Sequence, residues 1–163
     1  MPLHIHITQN SDTWTTIPFL SKLIEESIQL PLRNVIGLTL EQKVFHVDVT
    51  LTDDIEMAQI NQEFRGKKGA TNVLSFPQFT SLEEMEPHQE ILLGAIVLSY
   101  ATTALEAQRE NKKFTDHLTH LLVHSTLHLL GFDHTEDQEA HRMEALEIQL
   151  LSSVGISNPY LVD

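Results

Sequence analysis

Hydrophobic and polar positions follow two different periods along the chain, and the changes between them predict the order of its elements. Four short segments alternate or are continuously apolar, as β-strands are: residues 2–7, 44–51, 72–76 and 91–99. The last segment, ILLGAIVLS, is apolar at almost every position, which is typical of a strand buried on both faces. Together with the helices below, these strands predict an α+β fold with a small, mixed, four-stranded sheet.

Helical spacing of apolar residues predicts five helices. They cover residues 15–30, 55–64, about 101–111, about 115–130 and about 135–152. We expect Pro31 to end the first helix, because proline lacks the N–H that would continue it. Residues 52–54 are expected to cap the second helix, and the polar, acidic segment 78–90 to form an exposed loop. The helix at about 115–130 is apolar over most of its circumference, so it should run through the core.

Length and composition restrict the class of protein. The chain has 163 residues, of which 41% are hydrophobic, and we expect residues 1–163 to form one domain with its own core. It contains no cysteine, which excludes disulfides, thiolate nucleophiles and sulfur ligands. It has neither a leader pattern nor an apolar run of membrane length, so the expectation is a cytoplasmic protein without a membrane partner.

The charge of the chain argues against a general nucleic-acid binder. The formal net charge is -13, from 23 acidic and 10 basic side chains, and it would repel a phosphate backbone. DNA is therefore not an expected partner. Six of the ten basic residues nevertheless fall within two short segments, 65–68 and 109–113. This distribution fits either a local basic patch or two solvated stretches of surface.

Five of the ten histidines lie between residues 117 and 134, and three of these have the spacing of metal ligands. His124 and His128 are four residues apart on a predicted helix, where side chains share a face about 5–6 Å apart. Gly131 is suited to end the helix in a left-handed turn, after which the chain could bring His134 over the same face. Three imidazoles and an open fourth position are typical of catalytic zinc, and nickel or copper would also suit them.

Other interpretations of these polar residues stay open. The three histidines could be unrelated members of a histidine-rich chain, although imidazoles within an apolar helix need polar partners. His117 and His120 could support a metal site or be ordinary part-buried histidines, and Asp133 could orient an imidazole or stabilise a turn. A protease of the H-E-x-x-H type would need glutamate where this chain has Ser125. The remaining histidines are interpreted as structural or surface residues: His4, His6, His46, His88 and His141.

Two motifs together carry a resemblance to a known family. Residues 124–134 resemble the H-x3-H-x5-H signature of the YbeY family, the single-strand-specific endoribonucleases of bacterial ribosome maturation. Residues 61–77 match its second hallmark segment, N-x3-R-G-x4-T-x-V-L-S-F-P, and Leu93-Gly94 before an apolar strand is a third match. The resemblance covers roughly residues 44–150, and the paired motifs are more specific than either motif alone.

The resemblance implies a zincin-like α+β fold around a central metal-binding helix, with one Zn²⁺, or another ion such as Ni²⁺, on His124, His128 and His134. It implies a role in processing the 3′ end of 16S ribosomal RNA and in ribosome quality control, with single-stranded RNA in the ribosome or its small subunit as the partner. Arg65 matches the arginine of the family's R-G segment and would be required for activity. Lys67 and Lys68 are expected to help Arg65 hold the scissile phosphate.

Three positions depart from the family pattern. Asn72 and Ala95 stand where aspartates are usual, and Ser125 stands where glycine follows the first ligand. Two other functions stay open. One is a metal-dependent hydrolase of peptides or small molecules, against which Ser125 argues. The other, kept open by the two missing aspartates, is a non-catalytic ribosome assembly factor whose metal only stabilises the helix end. The attacking group is also open, since either a water activated by the metal or the 2′-OH of the RNA would serve.

Overall fold

The computed structural model describes residues 2–161, in which helices pack on a four-stranded sheet. The strands are β1 (Leu3–Gln9), β2 (Val44–Thr52), β3 (Val73–Pro77) and β4 (Glu90–Ser99). They lie in the order β1-β2-β4-β3, in which β2 is parallel to both β1 and β4, while β3 is antiparallel to β4 at one edge. The predicted α+β class and mixed sheet are confirmed.

Six α-helices lie within residues 2–161. They are α1 (Leu20–Val35), α2 (Leu38–Glu41), α3 (Asp54–Arg65), α4 (Tyr100–Arg109), α5 (Phe114–Leu129) and α6 (Asp137–Ser153). Helix α5 packs against α1, α4, α6, β3 and β4, and its residues Leu118, Leu122 and Leu127 are fully buried. The prediction that this helix runs through the core is confirmed. In the part of the chain that the structure describes, no helix combines the length and hydropathy needed to cross a bilayer.

The predicted bounds of the first helix, residues 15–30, are wrong at both ends. Residues Asp12–Thr16 form a separate 3-10 helix, and Ile17 is extended because the proline that follows it disfavours the helical conformation. Helix α1 then continues through Pro31 to Val35, with Pro31 and its neighbour Leu32 both buried. Because α1 packs along α5, burial of its apolar face outweighs the hydrogen bond that the proline removes.

The acidic segment 78–90 is only partly the exposed loop that its composition predicts. Glu83 and Glu84 are exposed, but they belong to a short 3-10 helix, Glu83–Met85. The side chain of Met85 is fully buried in the main core. Phe79 and Leu82 are partly buried against the same core, so three apolar residues attach the polar segment to the body of the protein, and the prediction of an exposed loop fails at those residues.

Strand β3 approaches β4 very closely at Gly94. This glycine has a φ of +147°, and a Cβ atom built on it would lie 2.2 Å from the carbonyl oxygen of Phe76. A side chain at Gly94 would therefore push β3 away from β4. The close pairing matters for function, because Ser75 and Pro77 of β3 line the cleft described below.

Candidate metal centre

The three histidines predicted to bind a metal converge at the end of α5. His124 and His128 lie one turn apart on this helix, and their Nε2 atoms are 3.2 Å apart. Gly131 has a φ of +101°, which lets the chain turn back and place His134 beside them. One ring nitrogen from each of the three lies within 4.8 Å of the others. The geometry is thus that of a three-nitrogen ligand set.

Hydrogen bonds orient two of the three imidazole rings. Nδ1 of His124 lies 2.5 Å from Oε1 of Glu147, and Nδ1 of His128 lies 3.0 Å from the carbonyl oxygen of Phe132. Both partners are acceptors, so Nδ1 donates in each ring and Nε2 keeps its lone pair. Two lone pairs that face each other across 3.2 Å have no proton to share, and a divalent cation would satisfy both. The residues present therefore fit a metal.

The buried carboxylate of Glu147, on α6, connects the histidines of α5. It is fully buried and accepts hydrogen bonds from His124, from Nε2 of His120 at 3.2 Å, and from the hydroxyl of Tyr160. Burial by itself would raise the pKa of Glu147, but the hydrogen bonds from His120 and His124 outweigh it and lower the pKa to about 2. A fixed negative charge therefore lies directly behind a candidate ligand.

His128 is held in its neutral form. Burial, followed by repulsion from His124 and His134, lowers the pKa of His128 to about 4. A neutral imidazole has the lone pair that metal binding requires. Near neutral pH, the site therefore offers a nitrogen ligand that need not first lose a proton.

A cleft of about 470 Å³ opens beside the histidines. The face of α5 that carries them forms part of its lining, together with Ser75 and Pro77 of β3. Arg65, the last residue of α3, also lines the cleft, so the structure brings it to the same cavity as the histidines. Lys67 and Lys68 are exposed on the loop that follows α3 and are not among the cleft-lining residues of the described chain.

The polar residues near the three histidines have different hydrogen-bond partners. His120 shares Glu147 with His124 and so supports the histidine cluster, whereas Nε2 of His117 binds Glu106 at 2.9 Å. Asp133 accepts a hydrogen bond of 2.7 Å from the backbone N–H of His134, so it stabilises the turn.

Sequence reasoning missed two residues of the site, Glu147 and Tyr160. A signal existed for Glu147, because it lies on the buried face of α6 with Met143, Leu150 and Leu151. A glutamate at a core position needs polar partners. No such signal marks Tyr160, which follows α6 near the end of the chain and lines the cleft.

The chain is similar to known proteins along almost its whole length. A family model described as Endoribonuclease YbeY matches residues 6–155. A Bartonella henselae protein of that name is 41% identical over 156 residues, which are 96% of each chain. A Sphingopyxis alaskensis protein of the same name is 50% identical over 118 residues, 70% of each chain. The solution structure of a Thermotoga maritima protein has a similar fold, with a TM-score of 0.58 and 24% identity over 97% of this chain and 99% of that one.

Proposed function

The chain belongs to the endoribonuclease YbeY family, and from this premise we propose that it is a metal-dependent endoribonuclease whose metal ligands are His124, His128 and His134. One observation carries the proposal: the Nε2 atoms of His124 and His128 face each other at 3.2 Å, each ring being oriented through Nδ1. We propose zinc as the native ion, because three imidazoles and an open position suit it. Nickel would be accepted by the same ligands.

Each residue of the site has a distinct role in this proposal. A bound divalent metal supplies a Lewis acid that lowers the pKa of water and offsets charge on phosphate. Glu147 holds the ring of His124 in place through its Nδ1–H. Arg65 binds the scissile phosphate through its planar guanidinium and stabilises the charge that develops there. Lys67 and Lys68 contact the neighbouring phosphates from the loop after α3.

We propose single-stranded RNA as the substrate, and specifically the 3′ end of 16S ribosomal RNA within the small subunit in the cytoplasm. The RNA class is supported by the names of the relatives, and the ribosomal step by the family resemblance. The net charge of -13 supports selectivity, because it repels free RNA while a strand presented by the ribosome reaches the basic residues near Arg65. Because the contacts of Arg65, Lys67 and Lys68 with phosphate are electrostatic, cleavage should weaken as the salt concentration rises.

The decisive experiment combines metal content with cleavage of an end-labelled single-stranded RNA. We expect wild-type protein to bind one tight equivalent of Zn²⁺ and to lose cleavage when a chelator removes it. His128→Ala should stay folded, lose the tight metal and lose cleavage. The matched control is His88→Ala, since His88 is an exposed histidine outside the cleft lining. A wild-type protein that binds zinc but leaves RNA intact, together with a His128→Ala variant that unfolds, would indicate that the metal has only a structural role.

Arg65 is tested separately from the metal. Arg65→Gln should lower the rate of cleavage about 100- to 1,000-fold, the usual cost of losing one group that stabilises transition-state charge. Its metal content should not change. Arg65→Lys should recover only part of the rate, because lysine keeps the charge but lacks the two-pronged geometry. The control is Arg33→Gln, an exposed arginine on α1.

A further inference from the structure

A second group of histidines lies on the face of the sheet that points away from α5. Residues of β1 and β2 alternate, so that Phe45 and Val47 join the main core with α5 while His4, His6 and His46 point to the other side. Helix α3 covers another part of that side, where Met57 packs on Val97. His4 and His6 are exposed and His46 is half-buried. The three imidazoles are therefore accessible from solvent.

The three rings form a row across the two strands. His46 lies in the middle, with ring centroids 5.1 Å from His4 and 5.3 Å from His6, and it is nearly parallel to His6, at 10°. Nε2 of His6 lies 3.0 Å from Nδ1 of His46. The register of the parallel strands β1 and β2 produces this row, because it places His46 directly opposite His4. His6 lies two residues further along the same face of β1, opposite Asp48.

A carboxylate orients the central ring. Oε1 of Glu90, at the start of β4, lies 3.3 Å from Nε2 of His46. Glu90 accepts a hydrogen bond from the N–H of that nitrogen, so Nδ1 of His46 presents its lone pair to His6. The pattern repeats the one at the end of α5, where a carboxylate binds one nitrogen of His124 and the other nitrogen faces a second imidazole.

From this geometry we propose that His6 and His46 form a second, weaker binding site for a divalent transition-metal ion, oriented by Glu90. When Nε2 of His6 carries no proton, two lone pairs meet across 3.0 Å, a separation that an ion can bridge with bonds of about 2.0–2.1 Å. His4, whose ring centroid lies 5.1 Å from that of His46, would have to rotate its exposed side chain to add a third ligand, and water completes the coordination. The ligand class is Zn²⁺, Ni²⁺ or Cu²⁺, since imidazole nitrogen disfavours Mg²⁺ and Ca²⁺.

The proposed site has a structural consequence. It joins β1, the edge strand, to β2, so an ion bound there stabilises the attachment of β1 to the sheet. A ligand that binds only the folded state raises the free energy of unfolding. Well above the dissociation constant, the increase grows with the logarithm of the ratio of the ligand concentration to that constant. Zinc added beyond one equivalent should therefore still raise the melting temperature.

The experiment is a calorimetric titration of the full chain with ZnCl₂. We expect one tight equivalent and one weaker equivalent in wild type. The double variant His6→Thr with His46→Thr should lose only the weaker equivalent, together with the rise in melting temperature beyond one equivalent. Threonine has a high strand propensity and is smaller than histidine, so it should fit both the exposed position of His6 and the half-buried position of His46, and β1 and β2 should still form. The control is His88→Thr with His141→Thr, which removes two exposed histidines and should keep both equivalents.

Two results would overturn the proposal: a wild-type protein without the weaker equivalent, or a His6→Thr, His46→Thr variant that retains it. Glu90→Gln provides an independent measurement if the double variant fails to fold, because Glu90 is exposed and the change keeps its size. It should weaken the second equivalent about 10-fold or more. The proposal does not depend on the ribonuclease activity. A failure of the site at His124 would remove the tight equivalent and leave the weaker one.

Discussion

Oε1 of Glu147 lies 2.5 Å from Nδ1 of His124, a contact that joins α6 to α5 directly behind the candidate metal centre. The carboxylate is fully buried, and it also accepts hydrogen bonds from His120 and Tyr160. A buried charge with three donors is held rigidly, so the ring of His124 is held rigidly too. The position of a metal ligand is thus set by a residue on another helix.

Glu147→Gln should weaken zinc binding about 10- to 100-fold, the usual cost of changing the partner of a metal-ligating histidine. The amide keeps the size of the side chain but removes the negative charge. Competition with a chromogenic chelator measures the change. Glu25→Gln, an exposed glutamate on α1, is the charge-matched control. Equal zinc affinity in wild type and Glu147→Gln would show that Glu147 serves the packing of α6 rather than the metal.

Acid should destabilise the metal-free protein between about pH 6.5 and pH 4. Burial and the neighbouring histidines lower the pKa of His128 from 6.5 to about 4 in the folded state. In that window the unfolded chain binds a proton that the folded protein does not, so the free energy of unfolding falls as the pH falls. Glu147 acts in the same direction between about pH 4.5 and pH 2, because its pKa falls from 4.5 to about 2 on folding. In that range too, the unfolded chain binds a proton that the folded protein does not.

Urea unfolding of chelator-treated protein at several pH values measures this effect. His128→Gln removes the titrating ring, so its stability should change less between about pH 6.5 and pH 4 than that of wild type. Parallel pH curves for the two proteins would show that His128 is not the group responsible.

Local patterns predicted much of this structure because the features concerned depend on neighbouring residues. The predicted strands end within two residues of the observed ones, since alternation and flanking turn residues are local signals. The pair His124 and His128 could be recognised because four residues make about one turn of a helix. The arrival of His134 beside them required only a turn at Gly131.

The features that the sequence did not predict depend on contacts between distant segments. Pro31 lies inside α1 because packing against α5 outweighs a local preference. Met85 is buried by the fold around it, although its neighbours are acidic. Glu147 follows His124 by 23 positions, and only the packing of α6 on α5 brings them together. Its place on an apolar helix face was the one local sign of its role.

Asn72 stands where the family pattern has an aspartate, and its surroundings suit an amide. Its Nδ2 donates to Oε1 of Glu106 at 2.8 Å, and the same oxygen lies 2.9 Å from Nε2 of the buried His117. Asn72→Asp would place two carboxylates at hydrogen-bond distance. We expect it to lower the free energy of unfolding at pH 7 by about 1.5 kcal/mol, the scale of a lost hydrogen bond to a charged group.

A double-mutant cycle checks this explanation. Glu106→Gln removes the repulsion, so adding it to Asn72→Asp should recover part of the lost stability. Urea unfolding measures all four proteins. Additive losses from the two changes would mean that Asn72 and Glu106 do not interact in solution.

Ser125 replaces the glycine that usually follows the first histidine of the family motif, and its hydroxyl is buried without a hydrogen-bond partner among the described residues. An unpaired buried hydroxyl lowers stability, and alanine has the highest helix propensity. Ser125→Ala should therefore raise the free energy of unfolding by about 1 kcal/mol. Ser125→Gly should be about 1 kcal/mol less stable than Ser125→Ala, because glycine disfavours the middle of a helix. Thermal and urea unfolding measure this order, and zinc content should stay the same in all three proteins. If Ser125→Ala is less stable than wild type, the hydroxyl has a partner in solution and contributes to the packing of α5.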